Sequence, residues 1–341
     1  MRTPLLIAGL LGLICPPVRA GLYLPAEKGY WRVPTKPRQY RIILDDRQSL
    51  LPAVDPNADP KAEKPFYAKQ VHETAAALEK KFKEGQITIE EGVSLGGYYI
   101  LLNQPDNAIL IMEAMYKREK KDFMVIANLA MAYYARGILD RADTYQSELV
   151  MPSKWPKKYK DWPAERLRWQ LRAEQLFLTM QSQRGKELLA GGGLDLKLDT
   201  LFAGARFEGP DGKYAAGQTD SETEDALPPD AAEVIQQILL WMPQDDRLQW
   251  LLAEIYNARG ETQEAMSLMS KLVNKGLTSE KLREHRHVLE VAALPKDPAP
   301  DVPDVPPWQA DLRSIGVGGG IGLVVGMLVV FQVLQLFRRA P

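Results

Sequence analysis

The chain has 341 residues, 45% apolar and 26% charged, enough to bury a core in two compact units or one elongated one. With 43 Lys and Arg against 44 Asp and Glu, the net charge is −1, and no basic excess supports binding to a nucleic acid. One cysteine, Cys15, and three histidines, His72, His285 and His287, exclude a disulfide framework and a cysteine-rich zinc module.

Residues 1–20 read as a secretory signal peptide: Arg2, an apolar run from Leu5 to Ile14, then Val18-Arg19-Ala20 before Gly21. The run is too short to cross a hydrocarbon core of about 30 Å. Ile14, just before Cys15, is bulky where a lipidation signal wants a small residue, and cleavage after Ala20 leaves no cysteine. Residues 21–64 carry Pro25, Pro34, Pro37, Pro52, Pro56 and Pro60, which predicts an extended segment with one short strand at Tyr40–Leu44. A helix from about Ala68 to Glu84 then opens a helical region over 65–190, which resumes over 229–294. The intervening 191–228 reads as an insert. Within it Ala205–Glu208 and Lys213–Ala215 flank Gly209-Pro210-Asp211-Gly212, a turn suited to a small β-hairpin, and the acidic stretch Asp220–Asp225 reads as a mobile loop.

Residues 295–312 alternate Pro with Asp and Val and predict a semi-rigid stalk. A transmembrane helix follows over 313–337, because Ser314–Phe337 holds no ionisable residue and Arg338-Arg339 close it; 338–341 is the tail. The 24 residues of Ser314–Phe337 reach about 36 Å. An export signal in front and a basic stop behind put the body outside and the C-terminus in the cytosol. The absence of any Asn-x-Ser/Thr sequon suits a bacterial inner membrane with a periplasmic body. Gly318, Gly322 and Gly326 recur every four residues, a stripe on which a second copy or another membrane helix can pack.

A 34-residue recurrence organises the middle. Leu95-Gly96-x-x-Tyr99 returns as Leu129-Ala130-x-x-Tyr133 and again as Leu252-Ala253-x-x-Tyr256, with Ala108, Ala142 and Ala265 nine positions after each tyrosine. Stepping back 34 from Ala265 and Met269 lands on Ala231 and Ile235, so 229–243 reads as the second helix of a repeat whose first helix is near 164–184. This pattern resembles the tetratricopeptide repeat family, in windows near 89–122, 123–156 and 246–279. The match departs from the family in its tryptophan, replaced by Gly92, Ile126 and Gln249, and in the missing repeat-ending proline of those windows. The resemblance implies an all-α, tetratricopeptide-like α-solenoid of helix-turn-helix repeats, interrupted by the small insert and followed by the membrane helix. It also implies that Leu95, Tyr99, Leu129, Tyr133, Leu252 and Tyr256 are core.

In that family the first helices of successive repeats line a groove for a peptide. The corresponding positions are Ile100, Leu101, Met124, Ala127, Met131, Tyr134, Trp250, Glu254 and Asn257. The Lys/Asn clamp for a terminal carboxylate is missing, since Val93, Gly97, Ala127, Met131, Trp250 and Glu254 stand there. An apolar, Met-bearing groove suits an amphipathic helix or an extended apolar segment of a protein partner.

Catalytic constellations are sparse. His285 and His287 fall on different helix faces, no phosphate-binding glycine motif follows a strand, and Asp245-Asp246 reads as a helix start. The expectation is a non-enzymatic membrane-anchored scaffold without metal or cofactor. The alternative is a structural spacer that dimerises through its glycine-rich membrane helix.

Overall fold

The structure, a computed structural model, describes residues 23–24, 36–50, 66–151, 163–190, 197–276 and 279–293. All belong to one compact unit, 1–293; a second unit, 294–341, lies wholly outside the described residues. The signal peptide, the stalk and the membrane helix with Gly318, Gly322 and Gly326 therefore fall outside them. No helix among the described residues is long and apolar enough to cross a membrane.

Among the described residues the fold is all-α, with twelve helices and no strand. In chain order they are α1 (Pro37–Gln48), α2 (Phe66–Lys83), α3 (Ile89–Leu101), α4 (Pro105–Arg118), α5 (Phe123–Arg136), α6 (Leu139–Leu149), α7 (Ala164–Leu189), α8 (Ser221–Ala226), α9 (Ala231–Trp241), α10 (Asp246–Ala258), α11 (Thr262–Asn274) and α12 (Glu280–Ala293).

Local chemistry sets the ends. Thr88 and Glu91 form a capping box at the start of α3. Asp122 accepts from the backbone of Met124 and Val125 at 2.9 and 3.1 Å to start α5, and Gly137, with φ +82°, ends it in the left-handed conformation. Asp245 caps α10 by accepting from Leu248 N at 2.9 Å.

Helices adjacent in the chain pack together: α3 on α4, α5 on α6, α10 on α11, with α4 on α5, α6 on α7 and α9 on α10 linking the pairs. The recurrent residues make these contacts. Leu95, Leu129 and Leu252 are fully buried, and the rings of Tyr99, Tyr133 and Tyr256 are buried too. Each buried leucine contributes about 1.5–3 kcal/mol. Ala108, Ala142 and Ala265 are buried on α4, α6 and α11. At the partner position, a Cβ on Gly96 would stand 2.5 Å from Met112 Cε, so α3 and α4 approach closely. Ala130 and Ala253 occupy the matching places with no exposure.

Three local expectations are corrected. The expected extended segment and strand at Tyr40–Leu44 are a helix, α1, with Pro37 in its first turn and Tyr40, Leu44 and Arg47 buried on one face. That face docks far along the chain: Tyr40 donates to Gln236 O at 3.2 Å, Arg41 pairs with Glu264 at 2.9 Å, and Asp45 pairs with Lys271. Distant packing therefore overrides the β-prone Tyr-Arg-Ile-Ile-Leu run. The expected hairpin is reduced to its turn, closed by Gly209 N donating to Lys213 O at 2.6 Å, and one antiparallel bridge between Ala215 and Gln218. Buried Phe207 has φ +58°, which bends the first arm away from a ladder. The expected loop at Asp220–Asp225 is instead α8, started by Asp220 accepting from Thr223 N at 2.7 Å.

Candidate functional site

Helices α3, α5 and α7 enclose a slot that holds Tyr23 and Leu24. Asn128, a lone polar side chain in the apolar run of α5, supplies both halves of a backbone clamp. Its Nδ2 donates to Tyr23 O at 3.0 Å and to Val93 O at 2.9 Å, while its Oδ1 accepts from Tyr23 N at 3.3 Å. One carboxamide thus serves the N–H and C=O of a single residue, as a neighbouring strand would. On α3, Gly97 leaves room for Leu24, whose Cδ2 would stand 2.6 Å from any Cβ placed there.

The Tyr23 ring meets Phe123 edge to face, with centroids 5.1 Å apart. Its hydroxyl stands 2.8 Å from both Gln170 Oε1 and Glu174 Oε1 on α7. Gln146 Nε2 of α6 donates to Glu174 Oε2 at 2.7 Å and to Glu174 O at 3.0 Å. Asn128, Gln146, Gln170 and Glu174 are all buried. Burial pushes the Glu174 carboxyl up to about 7, against the opposing hydrogen bonds from Gln146 and Tyr23. A phenol has one proton, so the arrangement as it stands is satisfied when Glu174 is protonated and donates to Tyr23 Oη, which donates to Gln170.

A second carboxamide clamp lies on α10. Asn257 Oδ1 accepts from Gly217 N and its Nδ2 donates to Ala215 O, both at 2.8 Å. One and two turns earlier on the same face, Glu254 Oε1 accepts from Trp250 Nε1 at 2.6 Å and lies 2.7 Å from His285 Nδ1 of α12. Tyr214 stacks on His285, with centroids 3.7 Å apart and planes at 13°. Burial, with the Glu254 charge beside it, holds the Tyr214 phenol well above its ordinary value. Backbone groups that a hairpin ladder would have used are spent on Asn257 instead.

The expected groove residues separate on this geometry. Trp250, Glu254 and Asn257 do share one face of α10, but the chain's own 214–217 and α12 cover it. Ile100, Leu101 and Met131 are buried in the main core, leaving Met124 and Tyr134 with part of their surface free. The reason is that α3 and α5 are packed on several sides at once, by α2, α4, α7 and the Tyr23 segment, so few of their side chains reach solvent. Asn128, Gln146, Gln170 and Glu174 escaped the sequence reading. Only Asn128 carried a signal, as the one polar residue between Phe123 and Ala132.

A buried ion network ties the region together. Arg184 of α7 reaches Asp245 at 2.5 and 2.9 Å and Asp199 at 2.5 and 3.2 Å, and donates to Tyr134 Oη at 3.2 Å. Arg247 of α10 adds contacts to Asp199 at 2.7 Å and to Glu187 at 2.6 and 3.1 Å. Burial opposes the Arg184 charge, yet the Asp245 and Asp199 carboxylates hold the guanidinium above its ordinary value. The network joins α5, α7, α10 and the insert through its Asp199. Among the described residues no group of three His, Cys, Asp or Glu side chains is arranged to hold a metal ion.

No family model, no curated protein and no solved structure matches the chain.

Proposed function

We propose that the chain is a membrane-anchored, extracytoplasmic scaffold whose helix pairs form a tetratricopeptide-like α-solenoid that holds extended segments of protein partners on the face of its first helices. The observation that carries this reading is the Asn128 carboxamide gripping the N–H and C=O of Tyr23. A clamp on backbone groups recognises extended chain whatever its source, and the neighbouring pockets then select side chains. The 34-residue recurrence and the buried Leu, Tyr and Ala positions support the solenoid part of the proposal. The apolar runs at the two ends of the sequence support the membrane part.

Met124 is half-buried beside Phe123 and Tyr23, whereas Asp143 lies exposed on α6. A photoreactive residue placed at 124 in the full-length chain in cells is expected to trap discrete protein adducts, and the same residue at 143 is not. Equal adduct patterns from the two positions would contradict the scaffold reading.

A further inference from the structure

The polar groups around Tyr23 are more than packing needs. Burying a polar side chain costs free energy unless it is paired, and an apolar filling would have been simpler. Here four buried polar side chains, Asn128, Gln146, Gln170 and Glu174, are arranged on or just behind one residue's backbone and hydroxyl. Gln146 Oε1 has no hydrogen-bond partner even so. Each part of the slot selects a different chemical feature. The Asn128 carboxamide takes extended backbone, Phe123 takes an aromatic ring, Gln170 and Glu174 take a ring hydroxyl, and the space over Gly97 takes an aliphatic side chain.

We infer that this slot is a recognition site for an extended tyrosine–aliphatic dipeptide of a protein partner, and that Tyr23–Leu24 is its tethered occupant, which a partner segment must displace. The inference rests on the scaffold reading and adds the identity of what is bound. A local segment competes at high effective concentration, so the intact chain binds such a partner weakly and a chain with the segment removed binds it well.

The test uses the full-length chain carrying Tyr23→Ala and Leu24→Ala, titrated with a fluorescent peptide of the sequence of residues 21–27. Saturable binding is expected for this variant and little for the unsubstituted chain. A probe with Phe in place of the tyrosine should bind on the order of 10- to 100-fold more weakly, because it leaves buried polar groups unmet. Adding Gly97→Leu, which fills the Leu24 position, should abolish binding. If the double variant does not fold, a protease site built at residues 27–32 frees the segment from the folded chain, and the same titration is run on the cut protein. Absence of binding to the opened slot, or binding indifferent to the tyrosine hydroxyl and to Gly97→Leu, overturns the inference. Adducts at position 124 together with no peptide binding would sink this site alone and leave the scaffold reading standing.

Discussion

Arg184→Ala is expected to lower the unfolding free energy by about 3–5 kcal/mol, the cost of breaking a buried ion pair from one side. The Arg184 side chain is 8% exposed, and the side chains of its two partners, Asp199 and Asp245, are 1% and 14% exposed. Without it, among the described residues, Asp199 is left with Arg247, and Asp245 with its cap on Leu248 N. The damage spreads because the lost side chain holds α7, α10, Tyr134 of α5 and the insert at one point. Arg184→Lys retains the charge but not the planar fork that makes two paired contacts, so it should fall between wild type and alanine. Arg136→Ala is the comparison: its pair with Asp106 is exposed on both sides and its loss should cost under about 1 kcal/mol. Urea unfolding of the three variants measures the differences. A change below about 1 kcal/mol for Arg184→Ala would mean that the network does not organise the region. Against a typical stability of about 5–15 kcal/mol, the expected loss is a substantial part of the whole.

Glu174→Gln is expected to abolish the pH dependence that this carboxyl imposes. Its folded value of about 7 lies above the ordinary 4.5, so the folded state holds the proton that the unfolded state releases between those values. The contribution of Glu174 to stability is present in full below about pH 4.5 and is lost as pH rises through 7. The loss amounts to about 3 kcal/mol at one pKa unit per 1.36 kcal/mol. Glutamine keeps an oxygen to accept from Gln146 and offers an N–H to donate to Tyr23 Oη, and it has no proton to lose. The stability of Glu174→Gln minus that of wild type should therefore rise by about 3 kcal/mol from pH 4.5 to 8. Using the difference cancels the other carboxylates, which titrate alike in both proteins. A difference that stays flat across this range would show that Glu174 does not hold its proton in the folded slot.

How much of this was legible follows from how far apart the interacting residues are. The spacing of Leu95, Tyr99 and Ala108, repeated 34 residues later, located α3 to α6 and their buried sides, because helix pairing is local. The step back from Ala265 to Ala231 located α9, whose Ala231, Ile235 and Ile238 are fully buried. By contrast the local sequence of α1 points to extended chain, since its helix is held by Gln236, Glu264 and Lys271, some two hundred residues away in the chain. The cover over Trp250, Glu254 and Asn257 is illegible for the same reason. Nothing near Trp250, Glu254 or Asn257 announces that residues 214–217 fold back over them. Glu174 gave no signal at all, because α7 mixes charged and apolar residues throughout and its buried carboxyl looks like any surface one.

The Asn128 and Asn257 carboxamides, on α5 and α10, grip extended chain through its backbone groups. Backbone hydrogen exchange at Tyr23 and Gly217 reads this directly. Protection of both amides is expected, with Asn128→Ala releasing Tyr23 alone and Asn257→Ala releasing Gly217 alone. Both amides exchanging at the rate of a free loop in the unsubstituted protein would contradict it.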